Sequence, residues 1–95
     1  MLSKQEIINT ICPILLRSNV SKASLFGSIV AGDFSESSDL DLLVEYGEET
    51  SLLDHISLKL SLEKVLGCKV DLITYRSLNK LIRPHVEQTE ELIIG

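Results

Sequence analysis

The chain has 95 residues, of which 44% are hydrophobic, and it carries a formal net charge of −5. This length and composition suit one folded domain, residues 1–95, around a single core. No apolar run approaches the roughly 18 residues that a membrane span needs, and the amino-terminal stretch lacks the basic-then-apolar order of a signal peptide. We therefore expect a cytoplasmic protein without a membrane partner.

The positive charges are too few and too scattered to form a nucleic-acid surface. The chain has nine Lys and Arg residues, and aromatic residues make up 4% of it. Long nucleic acids are bound through clustered positive charge and aromatic stacking platforms. We therefore expect no long nucleic acid as a partner, whereas a small anion held together with a divalent metal is compatible with this composition.

The first predicted element is a helix that begins near the amino terminus. Ser3 and Glu6 have the spacing of a capping box. Apolar residues then recur at helical spacing, at Ile7, Ile8, Ile11, Ile14 and Leu15. Pro13 interrupts this pattern, so the sequence predicts a kink or an early end of the helix.

A turn at residues 18–19 leads into a predicted strand, "KASLF", residues 22–26. The strand runs directly into Gly27 and Ser28. Ser28 has the side chain of an N-cap, and Gly32 is a helix stop, so a short helix is predicted between them. Residues 33–38, "DFSESS", are predicted to form a loop.

The next segment, "DLDLLVEY", residues 39–46, alternates as a strand does. The alternation separates two faces: Leu40, Leu42, Val44 and Tyr46 on one, and Asp39, Asp41, Leu43 and Glu45 on the other. The first face is predicted to be core, and the second carries the carboxylates.

A second long helix is predicted after the turn "GEE". Ser51 and Asp54 again have capping-box spacing, and Gly67 is a helix end. Its predicted apolar face consists of Leu52, Leu53, Ile56, Leu60 and Leu66. A third strand, residues 68–75, follows, and its alternation places Val70, Leu72 and Thr74 opposite Lys69, Asp71, Ile73 and Tyr75.

The remainder is predicted to be helical, from Ser77 onward, and to be divided by Pro84. In the closing segment "HVEQTEELIIG", a helix would place Val86, Ile93 and Ile94 near one side. That side either forms an interface with a partner or packs on the protein's own sheet, and the sequence leaves both open. The predicted order is α-β-α-β-α-β-α.

Two aspartates at the head of an apolar strand need an explanation. Side chains two residues apart point the same way, with Cα atoms about 6.5 to 7 Å apart, so the carboxylates of Asp39 and Asp41 can converge. Two such anions repel each other unless a cation lies between them. Oxygen ligands suit Mg²⁺ or Mn²⁺. If the third strand pairs beside the second, Asp71 joins them, and three carboxylates can bridge two metal ions.

Gly27 and Ser28 lie where a strand meets a helix. Glycine at that position lets the backbone approach a ligand closely. The amino terminus of the following helix presents free N–H groups, which suit phosphate, and serine adds a hydroxyl donor. Taken singly, each of these features is also common in purely structural roles. Together they predict a phosphate cradle followed by metal ligands on the next strand.

The stretch "LFGSIVAGDFSESSDLDLLVEY" resembles the G-S-x10-D-x-D signature of DNA polymerase beta-like nucleotidyltransferases. Ten residues separate Gly27-Ser28 from Asp39, and the later "KVDLIT" resembles the strand that carries that family's third carboxylate, here Asp71. The short chain resembles the minimal nucleotidyltransferase branch, whose members include antitoxins of HEPN-domain toxins. One feature departs from the pattern: this branch commonly reads G-S-x-A-R-G, but residues 29–31 here contain no arginine.

The resemblance implies a function for each matched residue. Asp39, Asp41 and Asp71 would be catalytic and would hold two Mg²⁺ or Mn²⁺ ions. Gly27 and Ser28 would contact the β- and γ-phosphates of ATP. The implied reaction transfers AMP from ATP to a tyrosine hydroxyl of a HEPN-domain toxin, and pyrophosphate leaves.

We therefore predict an α/β fold, with a small, mixed, twisted sheet, helices mainly on one face, and the carboxylates on the other. Two functions remain open. One is a metal-dependent protein adenylyltransferase, and the other is a non-catalytic antitoxin that neutralises its partner by forming a complex. A transferase for small molecules such as aminoglycosides fits less well, because such enzymes usually have an additional domain for the acceptor.

Overall fold

The computed structural model describes residues 2–35, 37–78 and 90–95. In these residues helices and strands alternate along the chain. The helices are α1 (Lys4–Arg17), α2 (Ser28–Ala31), α3 (Leu52–Leu66) and α4 (Tyr75–Leu78), and the strands are β1 (Val20–Phe26), β2 (Leu40–Tyr46), β3 (Val70–Thr74) and β4 (Glu91–Ile94).

The strands form one mixed sheet in the order β3-β2-β1-β4. Strand β1 is antiparallel to both β2 and β4, whereas β2 and β3 are parallel. Helix α3 makes the long connection that a parallel pair requires. The predicted α/β fold with a mixed sheet is confirmed.

Helix α1 begins at the predicted capping box. The N–H of Glu6 donates to Ser3 Oγ at 3.1 Å, and the N–H of Ser3 donates to Glu6 Oε1 at 3.0 Å. The prediction of an early end is wrong, because the helix continues through Pro13 to Arg17. Pro13 and Asn9 both lie on the exposed side, where water can bond the Asn9 carbonyl that the proline leaves without its helical partner.

The prediction that the chain ends in a helix is wrong for the last residues. Glu91–Ile94 form a strand that pairs with β1, with Ala23 opposite Ile94 and Leu25 opposite Glu91. Consecutive β-branched side chains favour a strand, and pairing satisfies the backbone of the free edge of β1. Ile93 and Ile94 pack against the core, so this segment belongs to the protein's own sheet. Pro84 and Val86 lie outside the described residues.

The main core lies between the sheet and helices α1 and α3. The predicted core face of the second and third strands is confirmed, because Leu40, Leu42, Val44 and Leu72 are all buried there. The helices contribute Ile7, Ile11, Leu15, Leu58 and Leu62 to the same cluster. In the parts of the chain that the structure describes, no helix is long and apolar enough to cross a membrane.

Helix α3 is rotated relative to the prediction. The residues expected to face the core include four that are exposed: Leu52, Leu53, Ile56 and Leu60. Leu58 and Leu62 are buried instead. Both sets have the spacing of one helix face, because α3 is apolar on nearly all sides, and periodicity could not choose between them.

Polar contacts on the inner side of α3 explain the rotation. The His55 Nε2–H donates to the Leu72 carbonyl at 3.0 Å, which leaves Nδ1 to accept from the Tyr46 hydroxyl at 2.8 Å. One turn from the end of the helix, Glu63 Oε2 accepts from the Val70 N–H at 2.9 Å. These bonds fix α3 on the β2–β3 pair with its leucine-rich side outward.

Candidate active site

The parallel pairing of β2 and β3 brings two of the predicted carboxylates side by side. Asp41 lies opposite Asp71 in the register, next to the Leu40–Val70 pair, and neighbouring strands are about 4.8 Å apart. Asp39 precedes β2 by one residue and, by alternation, projects to the same side as Asp41. This side is the sheet face opposite α1 and α3, as predicted.

The electrostatics of Asp41 show that the three carboxylates influence one another. Burial, followed by the charges of Asp71 and Asp39, raises the pKa of Asp41 from 3.8 to about 6. Asp41 is half-buried, whereas Asp39 and Asp71 are exposed. The ionised cluster is therefore unfavourable when it stands alone, and a cation would relieve that repulsion.

Gly27, the first residue of the predicted phosphate cradle, lies directly against this cluster. Phe26, the last residue of β1, lies opposite Asp41, so the backbone of Gly27 passes against the Asp41 side chain. A Cβ atom on Gly27 would collide with Asp41 Oδ2, and the residue has φ of 76°. Both the close approach and the left-handed backbone require glycine here.

The position of Ser28 differs from the prediction by one residue. Gly27, not Ser28, is the N-cap of α2, and Ser28 is the first helical residue. The Gly27 carbonyl accepts from the N–H groups of Val30 and Ala31, at 3.1 Å each. The half-buried Ser28 hydroxyl therefore does not cap the helix. It lies one residue after the glycine that contacts Asp41.

The donor chemistry fits a hard divalent cation. Asp39, Asp41 and Asp71 supply oxygen ligands only, which suit Mg²⁺ or Mn²⁺. Within residues 2–35, 37–78 and 90–95, no three His, Cys, Asp or Glu side chains are gathered closely enough to surround an ion. The register and the raised pKa of Asp41 nevertheless place these three carboxylates within electrostatic reach of one another.

Comparison with known families assigns the chain to one of them. The model of the family "Polymerase beta, Nucleotidyltransferase" matches residues 9–95, which is most of the chain. The chain belongs to the polymerase beta nucleotidyltransferase family. It is therefore a nucleotidyltransferase, and the resemblance noted from the G-S-x10-D-x-D spacing is confirmed.

Similar proteins agree with this assignment. A relative from Methanocaldococcus jannaschii, provisionally named protein adenylyltransferase MJ0435, is 48% identical over 81 residues, or 85% of this chain and 87% of the relative. Two similar solved structures are toxin–antitoxin complexes. One contains AMP-PNP (TM-score 0.82, 24% identity, 93% of this chain and 73% of that chain). The other is a tri-AMPylated Shewanella oneidensis HEPN toxin with its MNT antitoxin (TM-score 0.77, 22% identity, 96% and 71%).

A buried polar network that was not predicted lies beside the site of this nucleotidyltransferase. On the carboxylate face, the Ser24 hydroxyl lies 2.5 Å from the Tyr75 hydroxyl, which donates to Glu90 Oε2 at 2.8 Å. Burial raises the pKa of Tyr75 to about 12. Lys22 Nζ lies 4.6 Å from the centre of the Tyr75 ring. Ser24 is fully buried on the face of β1 opposite the main core, and a buried hydroxyl needs a partner.

This network lies beside the carboxylates, on the same face of the sheet. Tyr75 and Leu43 form a small second cluster, against which Phe26 and Ile73 pack. Phe26 lies opposite Asp41, and Ile73 follows Asp71 by two residues on the same face. The network therefore ties β1, α4 and the residue preceding β4 together on the sheet face that carries the carboxylates.

Proposed function

We propose that this chain is a protein adenylyltransferase antitoxin that transfers AMP from ATP to a tyrosine hydroxyl of a HEPN-domain toxin. The observation that carries the proposal is the contact between Gly27 and Asp41, together with the register that places Asp71 beside Asp41. Together, this contact and this register bring a backbone turn suited to phosphate next to a cluster of carboxylates. The names of the similar proteins support adenylyl transfer and a HEPN partner.

Asp39, Asp41 and Asp71 would hold two ions of Mg²⁺ or Mn²⁺. When bound, these ions supply positive charge against the triphosphate and against the charge that develops at the reacting phosphate. The support for this assignment is the raised pKa of Asp41, which reflects a cluster of like charges in a half-buried position. The oxygen-only donor set agrees with it.

In the proposed reaction, the tyrosine oxygen forms a bond to the α-phosphorus of ATP. The bond from that phosphorus to the bridging oxygen of the β-phosphate breaks, and pyrophosphate leaves with the electron pair. The backbone of Gly27 and the hydroxyl of Ser28 contact the β- and γ-phosphates and so orient the leaving group. The carboxylate of Asp71 accepts the hydroxyl proton as the attacking oxygen bonds to phosphorus.

The accessibility of the site suits a large acceptor. Asp39 and Asp71 are exposed, and α1 and α3 lie on the opposite face of the sheet. A tyrosine on the surface of a folded protein needs such an open approach, since it cannot enter an enclosed pocket without local unfolding. This arrangement favours a protein acceptor over a small metabolite, which is usually bound in a concave site.

A second candidate function is neutralisation without catalysis. The observation that favours it is Ala31, which stands where the branch commonly has arginine. A guanidinium there would give bidentate contacts and neutralise triphosphate charge. Without it, the chain would inhibit the toxin by forming a complex, and the carboxylates would be idle.

A label-transfer experiment distinguishes the two functions. The chain is incubated with its cognate toxin, Mg²⁺ and ATP labelled in the α-phosphate, and label on the toxin is measured. The proposal predicts transfer by the wild type and a loss of at least about a hundredfold when Asp39→Asn and Asp41→Asn are combined. Glu45→Gln, an exposed position on the same strand, is the matched control and should label normally.

Two results would sink the enzymatic proposal. One is a wild type that labels nothing yet neutralises the toxin as well as the double variant does. The other is label transfer that the double variant retains in full. The carboxylates lie away from the main core, so both variants are expected to stay folded. Toxin binding, measured in parallel, checks that they do.

A further inference from the structure

One lysine lies next to the carboxylates, at the start of the parallel strands. Lys69 immediately precedes β3, as Asp39 immediately precedes β2. The Lys69 carbonyl accepts from the Leu40 N–H at 2.8 Å, and Leu40 lies opposite Val70. The parallel register therefore continues one residue further back and sets Lys69 beside Asp39.

The side chain of Lys69 projects to the carboxylate face. Val70 is buried in the main core, and alternation directs its two neighbours, Lys69 and Asp71, to the opposite side of the sheet. Lys69 is exposed, and in the part of the chain that the structure describes it forms no ion pair. Its ammonium group, on a flexible four-carbon stem, is therefore available to a ligand held over the carboxylates.

Within the described strands, a second lysine on this face is more distant and already engaged. Lys22 Nζ lies 4.6 Å from the centre of the Tyr75 ring. Lys22 precedes Phe26, the residue opposite Asp41, by four positions, or about 13 Å along an extended strand. Of these two lysines, Lys69 is the one that lies beside the carboxylates.

The order of the strands indicates which phosphate Lys69 would meet. Gly27 follows β1 and Lys69 precedes β3, and the carboxylates of β2 lie between them. With the β- and γ-phosphates of ATP on Gly27 and Ser28, the α-phosphate would lie over β2. That position is one strand away from Lys69, since neighbouring strands are about 4.8 Å apart.

The charges of the site favour a cation at this place. Two divalent ions nearly balance three carboxylates, so the triphosphate keeps most of its own negative charge. Helix α2, Ser28–Ala31, begins the phosphate side of the site and contains no basic side chain. Lysine is a common phosphate ligand and acts as a point charge that needs no fixed planar geometry.

We propose that Lys69 binds a non-bridging oxygen of the α-phosphate of ATP and stabilises the charge on that phosphoryl group during AMP transfer. The inference rests on the proposed function and adds to it the residue that holds the reacting phosphate. The Lys69 ammonium donates a hydrogen bond and keeps its proton throughout. Because the α-phosphate is the group that is transferred, this contact acts on the transfer step as well as on binding.

Calorimetric titration tests the contact. The full chain is titrated with ATP and, separately, with pyrophosphate, both in the presence of Mg²⁺. Lys69→Met keeps the length of the side chain and removes its charge. It should weaken ATP binding by about tenfold, which corresponds to one charge-assisted hydrogen bond. Pyrophosphate takes the place of the β- and γ-phosphates only, so its affinity should not change.

Two further variants separate charge at this position from charge in general. Lys69→Arg keeps the positive charge and should bind ATP nearly as the wild type does. Lys64→Met removes another exposed lysine, which lies in the last turn of α3, and should bind both ligands normally. Thermal unfolding should show that all three variants are folded, because both positions are exposed.

Label transfer to the cognate toxin tests the role in the reaction. At saturating ATP, Lys69→Met should lower kcat by at least about tenfold, and Lys69→Arg should restore most of it. A lysine that serves only to keep the surface charged would change neither kcat nor the ATP affinity.

The opposing results are equally definite. ATP affinity that Lys69→Met leaves unchanged overturns the proposal, and so does an equal loss for ATP and pyrophosphate, which indicates a long-range charge effect. An unchanged kcat refutes the role in transfer. A wild type that binds ATP but labels no toxin contradicts the proposed AMP transfer, and the titrations then still decide on Lys69. A wild type that binds no ATP overturns both.

Discussion

Asp41 is the carboxylate of the candidate site whose pKa is raised by its surroundings. It is half-buried, it lies beside Asp71, and it contacts the backbone of Gly27. Its pKa is raised to about 6, first by burial and then by the two neighbouring carboxylates. Near neutral pH the metal-free protein therefore holds a negative charge that its surroundings disfavour. A pKa that burial and neighbouring like charges perturb in this way is typical of functional sites.

The raised pKa of Asp41 predicts how stability depends on pH without metal. The folded state binds the Asp41 proton more tightly than the unfolded chain, whose pKa is near 3.8. This residue's contribution is therefore favourable below about pH 4 and is lost as the pH rises through 6. Asp41→Asn should stabilise the EDTA-treated protein at pH 8 by on the order of 1 kcal/mol, after allowance for solvent screening of this part-exposed group.

Denaturant unfolding at pH 4 and pH 8 measures that effect. The two proteins should be equally stable at pH 4, and the variant should be more stable at pH 8. Added Mg²⁺ should then stabilise the wild type and leave the variant unchanged, because only the wild type binds the ion. An Asp41→Asn variant that is less stable than the wild type at pH 8 in EDTA would show that Asp41 is not electrostatically frustrated.

At the scale of elements, the short helix α2 decides where an arginine could be added beside the predicted phosphate cradle. The Ile29 side chain is buried in the main core, whereas Ala31, the last residue of α2, is exposed. Gly32 follows with φ of 88° and ends the helix. An arginine at position 31 would therefore be exposed, whereas an arginine at position 29 would bury a charge.

We therefore predict opposite outcomes for two arginine substitutions in α2. Ala31→Arg should tighten binding of ATP with Mg²⁺ by roughly tenfold, because a guanidinium forms charge-assisted bonds with phosphate. Ile29→Arg should instead destabilise the fold by about 3 kcal/mol, since it buries an unpaired charge. Calorimetric titration measures the first effect and denaturant unfolding the second. Ala31→Gln is the neutral control, and an equal gain in affinity from glutamine would refute the electrostatic explanation.

The elements show which features of the sequence were sufficient for prediction. Period-two alternation placed Asp41 and Asp71 on the carboxylate face, and capping and glycine signals located α1 and α3. The rotation of α3 was not predictable, because its burial is decided by hydrogen bonds from His55 and Glu63 to the distant strand β3. Strand β4 was missed because its partner, β1, lies far away in the chain.

The candidate site was predictable in its residues but not in its contacts. The spacing from Gly27 to Asp41 indicated which side chains belong to the site. The collision that any Cβ on Gly27 would have with Asp41 depends on the pairing of β1 with β2 and could only be seen in the fold. The network of Ser24 and Tyr75 was hidden for the same reason, since 51 residues separate the two hydroxyls.

At the scale of the whole molecule, the sheet separates two surfaces. One side carries α1 and α3, and the other carries the carboxylates and the Tyr75 network. The net charge of −5 repels free ATP, so the molecule as a whole disfavours a nucleotide that arrives without a cation.

Calorimetric titration of the chain with ATP tests the central claim, that the carboxylate cluster is a metal-dependent nucleotide site. The account predicts binding with Mg²⁺ or Mn²⁺ and no detectable binding in EDTA. It also predicts no binding in either condition when Asp39→Asn and Asp41→Asn are combined, with Glu45→Gln behaving as the wild type. ATP binding of equal affinity in EDTA, or wild-type affinity in the double variant, would contradict it.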